Sequence, residues 1–107
     1  MDDTFVKVGR ASDIAERRSK VVHLEGEEIA LWRVNGCLYA INNVCPHQHI
    51  PALHQGTLDG LNLTCPMHGW TYSLETGVAV FGNGRANVYE VRNNGENILM
   101  KKPSDLW

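Results

Sequence analysis

The chain has 107 residues with 10 basic and 12 acidic side chains, enough for one compact domain and too short for most multi-domain enzymes. Hydrophobic residues make up 43% and charged residues 21% of it, ordinary globular usage that excludes intrinsic disorder. A net charge of −2 supplies neither the basic excess that neutralises phosphates nor a strong anionic field, so neither nucleic acid nor a membrane is an expected partner. Short apolar runs rich in β-branched and aromatic residues predict strands at Phe5–Val8, Val21–Leu24, Ile29–Val34, Leu38–Ile41, Leu61–Thr64, Trp70–Tyr72, Val78–Phe81, Val88–Val91 and Ile98–Met100. Between the first two, Ala11–Arg18 predicts one or two turns of helix, with Ser12 as N-cap and Glu16 further along. Asn35-Gly36, Asp59-Gly60 and Asn94-Gly95 carry the chemistry of two-residue hairpin turns, and Thr76-Gly77 is a weaker signal of the same kind. The predicted fold class is all-β.

No apolar run approaches the roughly 20 residues of a membrane span. The acidic start Met1-Asp2-Asp3-Thr4 lacks the basic region of a signal peptide, so a cytoplasmic protein is expected. Three cysteines, Cys37, Cys45 and Cys65, are too few for a disulfide scaffold and read as metal ligands or buried thiols.

Charge is distributed unevenly. Between Val34 and Leu74 the only formally charged residue is Asp59, yet this stretch holds four of the five histidines and all three cysteines. A core excludes unpaired charge, but four histidines and three prolines make an unusual core. Inside it lie Cys45-Pro46-His47 and Cys65-Pro66-Met67-His68, a C-x-H and a C-x-x-H separated by 17 residues. A single zinc ion accepts two cysteines and two histidines, but its usual spacings group like ligands together, whereas here the order is mixed. If the two loops face each other, both cysteines can point to one iron and both histidines to a second, as where two His replace two Cys on one iron of a [2Fe–2S] cluster. The spacing fits this two-iron arrangement better.

Both motifs, the His68-Gly69-Trp70-Thr71-Tyr72 run and the overall length resemble a Rieske-type ferredoxin, most tightly from Cys45 to Gly77. The resemblance implies a small antiparallel β-sandwich or barrel over residues 1–107, with a cluster-binding subdomain of two loops at about 43–83. It implies one [2Fe–2S] cluster, with Cys45 and Cys65 on the inner iron and His47 and His68 on the outer. The implied activity is one-electron transfer, not catalysis. The implied partners are an NAD(P)H-dependent flavoprotein reductase and a terminal oxygenase, typically one that hydroxylates aromatic rings, with the carrier itself a monomer. Two imidazoles in place of two thiolates remove two negative charges and raise the potential above that of plant-type ferredoxins.

The Rieske proteins of respiratory cytochrome bc complexes would add a cysteine in each loop, forming a disulfide, and a serine after the His-Gly pair. Here Met67 takes the place of one cysteine, Gln48 to Pro51 offers no partner for it, and Trp70 stands where the serine would be, although Tyr72 matches a tyrosine of that pattern. With fewer hydrogen bonds to sulfur, the potential is expected near the low end of the roughly −150 to +300 mV Rieske range. The first loop, Gln48 to Gly56, is about one residue longer than in many relatives, and Gly82-Asn83-Gly84 replaces a segment that often contains proline. An apolar docking tip is expected from Ile50, Pro51, Leu53 and Pro66. Cys37 is expected to be a small buried hydrophobe, His23 structural, and Trp32, Trp70 and Trp107 packing residues, with Trp70 near the cluster. His49 and His54 also lie in the first loop, but C-x-H selects His47.

Two other functions compete. One is the small Rieske-like subunit of an assimilatory NAD(P)H nitrite reductase, which has a similar length. The other is a zinc-stabilised structural module, disfavoured by the mixed ligand order. A complete Rieske oxygenase is not expected, because it needs a further catalytic domain and no histidine follows His68.

Overall fold

The computed structural model describes residues 5–45, 50–66, 69–82 and 84–102. Among the described residues the strands are β1 (Phe5–Arg10), β2 (Ser19–Leu24), β3 (Glu27–Val34), β4 (Cys37–Asn42), β5 (Thr57–Asp59), β6 (Asn62–Thr64), β7 (Thr71–Ser73), β8 (Ala79–Phe81), β9 (Val88–Tyr89), β10 (Val91–Asn94) and β11 (Asn97–Lys101). Short 3-10 turns occupy Ala11–Asp13 and Leu53–Gln55, and no α-helix occurs among these residues. Three antiparallel sheets result, in the orders β1-β11-β10, β2-β3-β4-β9 and β5-β6-β7-β8. The all-β expectation holds.

The β3–β4 hairpin is buried on both faces, which is why its sequence is an almost unbroken apolar run. Side chains alternate across a strand, so Ile29, Leu31 and Ala40 pack with Ile14, Val22, Tyr89, Ile98 and Met100. Ala30, Trp32, Val34 and Ile41 pack into a second cluster with Cys45, Leu53, Leu63, Cys65, Tyr72 and Leu74. The second cluster joins the central sheet to β5–β8. Among the described residues, no helix is long and apolar enough to cross a membrane.

Several local expectations are corrected. The helix over Ala11–Arg18 does not form beyond the 3-10 turn, because Arg17 sits at φ 60 and its N–H donates to the Arg33 carbonyl at 2.7 Å. Glu16 turns instead to the β3–β4 turn, where it accepts from the Asn35 N–H and, at 2.9 Å, from the Gly36 N–H. Asn35 and Gly36 are the hairpin turn as expected, both at positive φ. At the other two predicted turns Asp59 and Asn94 still pair with Asn62 and Asn97, so the turn residues are Gly60-Leu61 and Gly95-Glu96. Glu25 and Gly26 form a further tight turn that Glu25, a poor left-handed residue, does not advertise. The run Val88–Val91 divides between two sheets, β9 pairing with β4 and β10 with β11.

The backbone N–H of Gly36, then that of Asn35, holds the Glu16 carboxyl below the usual carboxylate range. A depressed carboxyl contributes stability above its ordinary pKa and loses it as pH falls through the depressed value. Urea denaturation of the native protein and Glu16→Gln should therefore give a stability gap that is constant near neutrality and closes on acidification. A gap that stays open at acid pH would show that the charge does not hold the turn.

Candidate functional site

The two cysteine loops are built from the ends of β4 and β6. At the end of β4 the Asn42 Oδ1 accepts from the Val44 N–H at 3.0 Å, an Asx turn that swings the chain out of the sheet. Its Nδ2 donates to Glu27 Oε1 and to Tyr89 Oη, both at 3.0 Å. Burial raises the Tyr89 pKa, so the phenol stays neutral and its oxygen accepts from the amide.

Asn43 is fully buried. Its Nδ2 donates to Glu28 Oε2 at 2.7 Å, and its Oδ1 accepts from the His54 N–H at 2.6 Å. Acceptance of a backbone N–H fixes which side-chain atom is the oxygen, so His54 Nδ1, 3.1 Å from the same oxygen, carries a proton. The Asn43 N–H donates to the Glu28 carbonyl at 2.8 Å, and its carbonyl accepts from the Leu53 N–H at 3.1 Å. One side chain thus ties β3 to the far end of the first cysteine loop. The sequence reading passed over Asn43. Its only signal is an Asn-Asn pair at a strand end in an otherwise uncharged stretch.

Each cysteine is locked by its backbone. The Cys45 N–H donates to the Ile50 carbonyl at 2.9 Å, and the Cys65 N–H donates to the Trp70 carbonyl at 2.7 Å. Thr64 and Thr71 join hydroxyls at 2.9 Å across the base of the second loop. Cys45 and Cys65 are both fully buried in one core cluster and form no disulfide. The fully buried Tyr72 places its hydroxyl 3.8 Å from Cys45 Sγ. The structure therefore brings the two predicted thiols into one buried cluster. His47, His49 and His68 lie outside the described residues, as does Trp107.

Trp32 is a core residue, 4% exposed, and Trp70 packs at the edge of the cysteine cluster. Gly82, at φ 102, lies so close beneath Trp70 that a Cβ there would fall 2.0 Å from the indole ring. Only glycine fits. Cys37 is exposed, contrary to expectation, because it stands at the hairpin tip where the core ends. Leu53 is fully buried in the core and does not belong to an apolar tip, whereas Pro51 and Pro66 are exposed. His23 is exposed and its Nε2 lies 3.4 Å from Glu28 Oε1. Further exposed apolar surface appears at Val78, just before the edge strand β8, and at Val80 and Phe81 on it.

A family model described as "Rieske [2Fe-2S] domain" matches residues 4–92. The ferredoxin component of the naphthalene 1,2-dioxygenase system of Pseudomonas aeruginosa is 32% identical over 102 residues, 94% of this chain and 97% of that protein. A chain in the solved complex of reduced oxygenase and oxidized ferredoxin in carbazole 1,9a-dioxygenase superposes with a TM-score of 0.81 at 29% identity, covering 94% of each chain. A structure described as a nitrite reductase NADPH small subunit superposes with a TM-score of 0.82 over 91% of this chain and 97% of that one. At 19% identity it is a likeness of fold alone.

Asn43→Ala leaves the His54 N–H without its acceptor and takes one donor from the Glu28 carboxylate, whose other oxygen faces His23, and a buried group left unsatisfied costs about 1–3 kcal/mol. Denaturant unfolding should show a loss of that order, and amide exchange at His54 should accelerate selectively. Unchanged exchange at His54 would show that Asn43 does not anchor the loop.

Proposed function

Because the chain belongs to the Rieske [2Fe–2S] domain family, we propose that it is a one-electron carrier in which Cys45 and Cys65 hold one iron of the cluster and His47 and His68 the other. It passes electrons from an NAD(P)H-dependent flavoprotein reductase to a terminal oxygenase that hydroxylates aromatic rings. The observation that carries this reading is the pair of fully buried thiols, drawn from two loops into one cluster and each fixed by a backbone hydrogen bond. The donor set fits the cofactor, since each thiol is followed within three residues by a histidine. When bound, the cluster supplies a reversible one-electron couple. The protein's part is to hold the sulfurs away from water and, through Tyr72, to place one O–H beside the Cys45 sulfur.

The partners follow from the relatives. One is named as the ferredoxin component of a dioxygenase system and aligns with almost the whole chain, and another was solved with its oxygenase. The nitrite reductase small subunit shares the fold at too low an identity to favour that alternative. Docking would use the exposed apolar residues Pro51, Pro66 and Phe81, where recognition rests on shape and hydrophobic contact.

An EPR-monitored potentiometric titration tests the reading. A Rieske-type signal with a midpoint toward the low end of the range of about −150 to +300 mV is expected. Metal-loaded protein with no signal and bound zinc would overturn the cluster. Cys45→Ser and His68→Ala should each abolish the signal, and retention of it would reassign that ligand. The Tyr72 hydroxyl favours the more negative, reduced form, so Tyr72→Phe should lower the midpoint. A net hydrogen bond of about 0.5–1.5 kcal/mol corresponds to a fall of roughly 20–60 mV in a one-electron couple. An unchanged midpoint would show that the 3.8 Å contact does not tune the cluster.

A further inference from the structure

A groove of about 290 Å³ lies between the segment leading into β2 and the 3-10 turn of the first cysteine loop. Arg17, Arg18, Ser19, Trp32, His54 and Gln55 contribute to its lining, which contains no carboxylate. Its hydrogen-bond inventory is unbalanced. Trp32 is 4% exposed, and its indole Nε1–H is a buried donor with no acceptor among the described residues. A donor stranded in this way is rare in a native interior. Arg17 holds a backbone φ of 60, an uncommon conformation for a residue with a side chain. Its Nη2 donates to the Leu58 carbonyl at 3.0 Å, which fixes the guanidinium across the groove and leaves further N–H groups unspent. The Arg18 guanidinium has no partner among the described residues, and the Ser19 hydroxyl already donates to the His54 carbonyl at 2.7 Å.

Two guanidinium groups and one buried indole N–H, with no carboxylate in the lining, call for an acceptor that carries negative charge. We propose that this groove binds a small free oxyanion of the carboxylate or phosphate type, gripped by Arg17 and Arg18, with the Trp32 indole N–H completing its coordination. The planar arginine fork matches two oxygens of either group. A bound anion would sit between the segment before β2 and the turn that Asn43 holds.

Isothermal titration calorimetry of the cluster-loaded protein tests this, with inorganic phosphate and then acetate as probes at constant ionic strength against a chloride reference. Saturable one-to-one binding is expected for at least phosphate. Arg18 is exposed and its guanidinium makes no hydrogen bond or ion pair among the described residues, so Arg18→Gln keeps the structure and should weaken binding at least tenfold. Trp32→Phe removes the donor together with part of the buried ring, and should weaken binding several-fold where its EPR signal and its urea unfolding match those of the native protein. Heats no different from chloride, or equal affinity in Arg18→Gln, would overturn the site. Binding of an oligoglutamate peptide without any response to phosphate or acetate would also overturn it, by assigning the groove to an acidic segment of a protein partner.

Discussion

The register that sets Ile29 opposite Asn42 is the constraint on which the molecule depends. It puts both faces of β3 and β4 under cover, so one hairpin serves two cores. It also brings the acidic start of β3 against the amide-rich exit of β4, where Glu27 meets Asn42 and Glu28 meets Asn43. A slip of one residue would send the core side chains of each face to the other and separate these pairs. The first cysteine loop starts three residues beyond Asn42, so its position is inherited from that register. The thiols are then held by local hydrogen bonds, while Tyr72 reaches Cys45 from β7 of the neighbouring sheet.

Much of this was legible in the sequence. Strand-length apolar runs gave the all-β class, and the unusual mixture of cysteines and histidines in a stretch nearly free of charge pointed to the two cysteines that the fold buries in one core cluster. The errors share a cause, since local pattern does not say what packs on what. Val88–Val91 reads as one strand, but the chain changes sheets within it. Ala11–Arg18 has helical spacing, yet Glu16 is worth more as an acceptor for the Asn35-Gly36 turn than as a helix residue. Leu53 lies two residues after a proline in a loop and looks like surface, and only the cluster around it shows that it fills the core. Cys37 alternates as a buried residue should, but the core stops short of the hairpin tip. Asn43 was invisible because a buried amide is recognised by its partners, none of which is near it in sequence.

The division of labour among the sheets suits a carrier whose sulfurs must stay in place. Cys45 and Cys65 are rooted in a core that also contains Trp32 and Ile41 from the central sheet, so movement of either thiol has to displace well-packed side chains. The surface around Phe81 and Val80 belongs to β8, a three-residue strand at an edge, where change costs the core little.

The chain leaves the central sheet at Asn42 and returns at Asn87, and those two residues are joined by a hydrogen bond of 2.8 Å from the Asn42 N–H to the Asn87 carbonyl. Immediately afterwards Val88 pairs with Ile41 and Tyr89 with Ala40. Everything between, both cysteine loops and the sheet β5–β8 included, is therefore an insertion whose two ends meet at one point of a β-hairpin. The entropy of closing such a loop grows only with the logarithm of its length, so the scaffold is nearly indifferent to how long the insertion is. Lineages can lengthen or trim the loops of the redox module while the host sheet keeps its register, provided that the side chains packed on Trp32 and Ile41 are retained.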